Sequence, residues 1–597
     1  MNGTETSTAA APNARVFGSD PMAAMLRALG MPYIALTPGA SFRGLHDSLV
    51  NYLGNVDPRM LLCIHEESAV ALAHGWTRVT GKPMAVALHS NVGLMHATMA
   101  IFNAWCDRVP MLMLGAVGPV DAVHRRPWVD WIHTASDLGA LIRGYTKWDN
   151  QPASVPAALE AILRAHQIAI SEPKGPTYVC LDATTQEQPV DPAIELPPLD
   201  RYRASVPAEP ARQQLAEAAA MLAGANRPLI LMGRVSRERA QWDRRVALAE
   251  RLGAAVLTDL KTGATFPTLH RLHPYPPGLY VSPEAGHLVR DADVILALDW
   301  VDIAGTLRQA CGGSLPKAKI IHCSLDQTLH NGWSMDYQAM PPADVFIPAS
   351  PDRVVECLLD ALKTATIAAK APPAARPPAP PPGADVIEGR LSVQAMARIT
   401  TERLAPHNPA YIRLPLGWPG DCCRFADPLD YVGFDGGGGI GSGPGMAAGA
   451  ALALRDMKSD RLPVAVLGDG DFLMGATALW TAVHYRIPLL VLVANNESFF
   501  NDELHQERVA RIRGRPIENR SIGLRMSDPA NDLAMMARAQ GAEGYGSVRS
   551  VAELERVIDE AVRKVRAGAV CVVDVGVAPE YSRTMSSTLL RQIPSAT

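Results

Sequence analysis

The sequence predicts an α/β protein made of three open parallel-sheet domains, and three observations carry that reading. Short, continuous apolar runs recur along all 597 residues: YIAL, MLLCI, MAVAL, PMLML and TYVCL, then PLILMG, AAVLT, DVILAL and KIIHCSL, then AYIRL, LPVAVLG, PLLVLVA and VCVVDVG. Strands that are apolar on both faces and alternate with helical stretches belong to parallel sheets covered on both sides. The length also exceeds what one hydrophobic core can hold. Finally, proline punctuates the chain. Seven of the 49 prolines lie between Pro372 and Pro382, and a softer proline-rich stretch covers 186–210.

Dense proline removes backbone donors and favours extended structure, so residues 363–388 read as a semi-rigid linker. The expected domains are then 15–188, 208–362 (a Rossmann-like central unit) and 389–597. No short-period repeat of the solenoid kind interrupts them.

Composition bounds the function. A chain that is 48% hydrophobic and 19% charged has a globular, enzyme-like profile. Its net charge of −4 lacks the basic footprint of a nucleic-acid binder and offers no polybasic patch for a membrane. No apolar run is long enough to span a bilayer, and the opening MNGTETSTAAAPNA is not a signal peptide. Nine scattered cysteines without a CxxC pair argue against a zinc site or a disulfide framework and fit a reducing cytoplasm.

The chemistry is concentrated in RLPVAVLGDGDFLMGATALWTAVHYRIPLLVLVANNESFFN, residues 461–501. A strand over Val464–Leu467 runs into Gly468-Asp469-Gly470, a helix is predicted over Phe472–Tyr485, and a second strand over Leu489–Ala494 ends at Asn495-Asn496. In a right-handed βαβ unit both strands end on the same sheet edge, so Asp469 and Asn496, 27 residues apart, converge. A carboxylate beside an amide oxygen is a hard donor set suited to Mg²⁺ or Ca²⁺, and Mg²⁺ usually completes its shell with phosphates and water. Glycines flanking such a site let backbone approach a diphosphate.

Upstream, Asp435-Gly436-Gly437-Gly438-Gly439-Ile440-Gly441 opens a small-residue helix over Met446–Leu454. It contains a formal GxGxxG, but Asp456 falls at the helix end and not after a following strand, which disfavours a dinucleotide. GxxxxGK[ST] does not occur, which argues against a P-loop.

With GDG followed by NN at this spacing, the chain resembles the thiamine diphosphate (ThDP)-dependent enzymes of the pyruvate decarboxylase, benzoylformate decarboxylase and acetolactate synthase superfamily. The resemblance covers nearly the whole chain as pyrimidine-binding, central and diphosphate-binding domains. It implies Mg²⁺ held by Asp469, Asn496 and the main-chain oxygen of Ser498, with Ile440 wedged under a bent cofactor. In LLCIHEESAVALAHGWTRVTG it makes Glu66 the cofactor-activating glutamate, leaving Glu67 a helix-start charge. The cofactor-binding set it implies is Glu66, Gly438, Ile440, Gly468, Asp469, Gly470, Asp471, Asn496 and Ser498.

TPGAS at 37–41, LHS at 88–90 and FNAWCDRVPMLML are most similar to benzoylformate decarboxylase, which implies that His89 is catalytic, a proton relay near the reacting carbonyl. The chain departs from that family in two ways: Ala40 stands where a substrate-binding serine is expected, and ALDWVDIAGTL supplies no second catalytic histidine. After the Asn pair, Phe499 and Phe500 are candidate pocket walls. Six arginines (508, 511, 513, 515, 520 and 525) are either a solvated face or a receiver for an anionic group.

The resemblance implies a lyase or transferase that acts on a small 2-oxo acid. An ylide attacks the keto carbon, CO₂ leaves, and the resulting enamine is protonated in a decarboxylase or captured by a second carbonyl in an acetolactate synthase-like carboligase. A non-catalytic ThDP-fold subunit is the third reading. The central segment lacks a glycine fingerprint for FAD, so no flavin is expected, and the family's shared sites imply a homodimer or homotetramer.

Overall fold

The computed structural model describes residues 15–329, 338–372, 375–378 and 383–580. Each predicted group of apolar runs forms a parallel sheet. The first holds β1 (Tyr33–Leu36), β2 (Arg59–Leu62), β3 (Met84–Leu88), β4 (Met111–Val117), β5 (Trp148–Asn150) and β6 (Pro176–Asp182), in the order β2-β1-β3-β4-β6-β5. The second holds β7 (Pro228–Met232), β8 (Ala255–Thr258), β9 (Val294–Leu298), β10 (Lys319–Cys323) and β11 (Val345–Ile347), in the order β11-β10-β9-β7-β8. After a two-residue hairpin of β12 (Val386–Ile387) and β13 (Arg390–Leu391) comes the third. It holds β14 (Pro409–Arg413), β15 (Leu462–Gly468), β16 (Leu489–Asn495), β17 (Glu543–Val548) and β18 (Val570–Gly576), in the order β14-β15-β16-β18-β17.

Two features of this fold position the site. In the first sheet the chain steps from β1 outward to β2 and then back past β1 to β3, so a topological switch point lies between β1 and β3. Crevices at the carboxyl ends of strands at such points are where open α/β sheets bind ligands. In the third sheet β15 and β16 are direct parallel neighbours, with Gly468 opposite Ala494.

The first and third domains share one apolar core, which runs from Ala69, Leu72 and Trp76 into Ala447, Ala451 and Leu467. The helix Glu66–Thr80 lies directly on the helix Gly443–Asp456. Glycine permits the contact: a Cβ on Gly449 would stand 1.8 Å from the Leu72 carbonyl oxygen. The predicted helix over Phe472–Tyr485 is instead two, Asp469–Gly475 and Ala478–His484. The break follows Gly475, which backs so closely onto the Gly441 carbonyl that a Cβ would lie 2.1 Å from its oxygen.

Part of the proline-rich segment is described, and that part lies against the central domain: Ala368 N–H bonds to Ala223 O (2.9 Å) and Arg376 Nη1 to Thr268 O (3.0 Å). The other prolines expected in the tether fall outside the described residues. Among the described residues no helix is long and apolar enough to cross a membrane.

Candidate functional site

Asp469 and Asn496 leave the adjacent ends of β15 and β16 and meet. Asp469 opens its helix, 4% exposed, and its Oδ1 accepts the Gly470 N–H at 2.9 Å. Glu497 takes a left-handed φ of 56°, which turns the next peptide back toward the strand ends. The Ser498 N–H then donates both to Asn496 Oδ1 (2.9 Å) and to Asp469 Oδ2 (3.3 Å), so a single donor gathers the carboxylate and amide oxygens. Burial pushes the Asp469 carboxyl up to about 6 against the pull of neighbouring backbone N–H groups. Among the described residues no Lys or Arg forms an ion pair with it. A buried carboxylate and an amide oxygen gathered without a cation fit a hard divalent ion.

Asn495, the other half of the pair, is a strut. Its amide donates to Asp574 Oδ1 (2.9 Å) and its Oδ1 accepts the Glu497 N–H (3.1 Å). Ser498 is held from the other side, where its Oγ donates to Glu503 Oε1 at 2.5 Å. Glu503 is fully buried and ion-paired with Arg525 (3.1 Å) and Arg520 (3.7 Å). Arg511 and Arg520 also engage Glu507. Three of the six arginines are thus spent on two acids, one of which braces Ser498. Neither Glu503 nor this use of the arginines follows from the sequence, because the pairs are 22 and 17 residues apart and depend on how the helix Phe500–Ile512 folds back.

The glycine run forms the facing wall. Gly438 has φ +70° and open space where a Cβ would be, and Gly468 likewise has nothing within 4 Å of that position. Asp471 borders this space while both its oxygens are engaged elsewhere. Its Oδ1 accepts the N–H groups of Gly441 (2.7 Å) and Gly443 (3.1 Å), and its Oδ2 is ion-paired with Arg413 (2.8 Å), which also meets Asp435 at 2.7 Å. Asp471 therefore pins the glycine turn in place. A cavity of about 930 Å³ opens between the walls, lined by Gly438, Ile440, Gly468, Asp469, Gly470 and Asn496. Ser498, Phe499 and Phe500 also border it, so the two aromatics stand where a pocket wall was expected.

Glu66 lies elsewhere. It begins its helix after His65, whose ring nitrogen caps the helix by accepting the Glu67 N–H (3.2 Å). The residue is 7% exposed, and its Oε2 meets His96 Nδ1 at 3.1 Å. His96 stacks on His65, with ring centroids 5.0 Å apart and planes 18° apart. His65 Nδ1 is already taken by the Glu67 N–H, so His96 is the hydrogen-bonded support for Glu66 and His65 the ring stacked behind it. Glu67 bonds instead to Ser442 (3.2 Å) beneath the glycine turn. Glu66 does not line the cavity that holds Asp469 and Asn496.

His89 follows β3 at the switch point, where its Nδ1 meets Ser41 Oγ at 2.8 Å. Burial, and then the neighbouring His133, hold its imidazole below the usual range. The positions at 40–41 thus have a defined use: Ser41 is bound to His89.

Three family matches tile the chain: "Thiamine pyrophosphate enzyme, N-terminal TPP binding domain" over residues 17–140, its central domain over 215–340 and its C-terminal TPP binding domain over 416–575. A benzoylformate decarboxylase of Pseudomonas aeruginosa is 26% identical over 457 residues, 74% of this chain and 80% of the relative. An acetolactate synthase large subunit of Haemophilus influenzae is 23% identical over 81% of this chain and 82% of its own. The structure of a benzoylformate decarboxylase from Polynucleobacter necessarius superposes with a TM-score of 0.76 at 20% identity, covering 95% of this chain and 99% of that one, a likeness of fold.

Proposed function

The chain belongs to the thiamine pyrophosphate enzymes, and from that premise we propose that it is a ThDP- and Mg²⁺-dependent decarboxylase of a 2-oxo acid. The observation that carries the reading is the gathering of Asp469 Oδ2 and Asn496 Oδ1 on one N–H beneath open glycine backbone. Asp469, Asn496 and the Ser498 carbonyl hold Mg²⁺. Gly438, Gly468 and Gly470 let backbone reach the diphosphate, Ile440 supports the cofactor, and Asp471 keeps the glycine turn shaped for it. Bound there, the cofactor supplies a nucleophilic carbon and then an electron sink as CO₂ departs. Glu66 holds a proton at the cofactor's pyrimidine nitrogen, and His89 moves one at the substrate carbonyl.

Because Glu66 does not line the cavity of the metal corner within one chain, the complete site is formed between two copies, in a homodimer or a pair of them. The edge around Glu66 supports this: Ile64 is 48% and Met95 55% exposed beside a buried carboxyl. All nine cysteines are free, which suits the cytoplasm.

Similarity to a benzoylformate decarboxylase over most of the chain favours decarboxylation, and the acetolactate synthase relative supports carboligation as the second reading. The deciding experiment incubates the protein with ThDP, Mg²⁺ and a panel of aliphatic and aromatic 2-oxo acids, with and without added aldehyde. CO₂ with free aldehyde as the product is the expected result. A 2-hydroxyketone or acetohydroxy acid would assign the carboligase instead, and no turnover of any 2-oxo acid would refute both.

A further inference from the structure

The loop that leaves β16 is met by a returning segment. Ser498 and Arg525 face each other in an isolated antiparallel bridge, closed by the Phe499 N–H on Leu524 O (3.0 Å) and the Met526 N–H on Glu497 O (2.8 Å). Both bonds flank the pair, so Ser498 and Arg525 oppose each other without bonding directly. In that arrangement the N–H and C=O of each opposed residue point away from the other segment, while the two side chains lie close together. The Ser498 N–H points as this requires, onto Asp469 Oδ2 and Asn496 Oδ1. Its carbonyl leaves the chain on the same edge, so the register of this short bridge decides whether that oxygen faces the metal corner.

Glu503 holds the register. Its Oε1 accepts both the Ser498 hydroxyl (2.5 Å) and Arg525 Nε (3.1 Å), tying together the side chains of the two opposed residues. Arg525 Nη2 reaches the other oxygen at 3.4 Å, and Arg520 approaches it at 3.7 Å. An acid in the first turn of the helix Phe500–Ile512 suits the helix dipole without any further task. Such an acid has no need to leave water, whereas Glu503 is fully buried. Burying a carboxylate is costly unless it is paired and hydrogen-bonded, and these partners lie on the loop and on the segment that returns to it.

We propose that Glu503 is a positioning residue for the metal and acts through Ser498. It locks Ser498 opposite Arg525 and thereby presents the Ser498 carbonyl beside Asp469 and Asn496. The inference rests on the metal site under "Proposed function" and adds the residue that sets its geometry. Mg²⁺ demands a near-ideal octahedron, while Ca²⁺ accepts irregular shells with more ligands. A carbonyl let out of register should therefore cost Mg²⁺ more than Ca²⁺, a bias that general loosening of the domain would not produce.

Calorimetric titration of the full chain with Mg²⁺ or Ca²⁺, with ThDP in excess, reads both affinities without turnover. Glu503→Ala should weaken Mg²⁺ binding about tenfold and Ca²⁺ binding no more than about threefold. Ser498→Ala deletes the hydroxyl and keeps the carbonyl, so it should reproduce part of the Mg²⁺ loss. Added to Glu503→Ala, it should cost little more, because both changes break the same link.

Unchanged Mg²⁺ affinity in a folded variant, equal losses for the two ions, or additive effects of the two changes would each overturn the proposal. Should Glu503→Ala fail to fold, Glu503→Gln decides, since it keeps an acceptor for the hydroxyl but gives up the ion pairs with the returning segment. A loss of Mg²⁺ affinity of about threefold, again larger than for Ca²⁺, is then expected, and no loss would overturn the assignment. Wild-type protein that binds Mg²⁺ and ThDP but turns over no 2-oxo acid would overturn the decarboxylase reading and leave the role of Glu503 to these affinities. Wild-type protein that binds neither would overturn both.

Discussion

Asp469 is the residue on which the proposed metal site depends, since the Ser498 N–H, Asn496 and Asp469 itself form one hydrogen-bonded knot. Asp469→Ala should leave the fold intact, because the carboxylate makes no ion pair with a described residue, yet weaken Mg²⁺–ThDP binding by at least roughly tenfold. Calorimetric titration of the cofactor with Mg²⁺ measures this, and unchanged affinity would remove Asp469 from the site. His96 tests the other half. Its Nδ1 at 3.1 Å orients one oxygen of Glu66, and its 53% exposed ring suggests a modest share. His96→Ala should lower apparent affinity for ThDP by roughly five- to tenfold, while Glu66→Gln should abolish turnover with little change in melting temperature. A Glu66→Gln protein as active as the wild type would remove Glu66 from the proposed machinery. At this scale the sequence was readable where residues are adjacent or at a fixed spacing, as in GDG, NN and HEE. His96 and Glu503 were silent, since each acts through a partner brought near only by folding.

The helices Glu66–Thr80 and Gly443–Asp456 show how an element can carry both packing and chemistry, because the first begins at Glu66 and the second leaves the glycine turn pinned by Asp471. Their backbones touch at Gly449, where a Cβ would lie 1.8 Å from the Leu72 carbonyl, and at Gly75, where it would lie 2.1 Å from the Met446 carbonyl. A methyl group at Gly449 cannot be accommodated by rotating a side chain, because the obstacle is backbone. Gly449→Ala should therefore force the helices apart and cost about 1–3 kcal/mol, read as a lower midpoint in urea unfolding. Gly568→Ala is a useful contrast: that position has open space but φ +99°, so any cost there reflects backbone strain without crowding. Elements were legible in proportion to their burial. Every continuous apolar run became a strand, whereas β5, β11 and β17 were missed, and each lies at the edge of its sheet. Edge strands pair on one side only and tolerate sequences such as WDN and EGYGSV, which lack the apolar signature.

For the whole molecule, the issue is why one chain should hold two halves of the proposed site that share no cavity. The shared core fixes the first domain on the third through the packed helix pair, so Glu66 cannot swing to the cavity of Asp469 without breaking that core. A twofold assembly resolves this without moving either domain, since each copy can offer its Glu66 edge to the other's metal corner. The consequence is a complementation that no single-chain site can produce. Glu66→Gln and Asp469→Ala are each expected to be inactive alone. When the two are unfolded together and refolded as a mixture, half the dimers should contain one of each. One of the two sites in such a dimer joins an altered Glu66 edge to an altered metal corner and is dead. The other joins an intact Glu66 edge to an intact metal corner and works. Activity should return to about one quarter of wild type. A site contained within one chain would give none, because every chain in the mixture carries a fatal change, and that result would require Glu66 and Asp469 to meet inside the same copy.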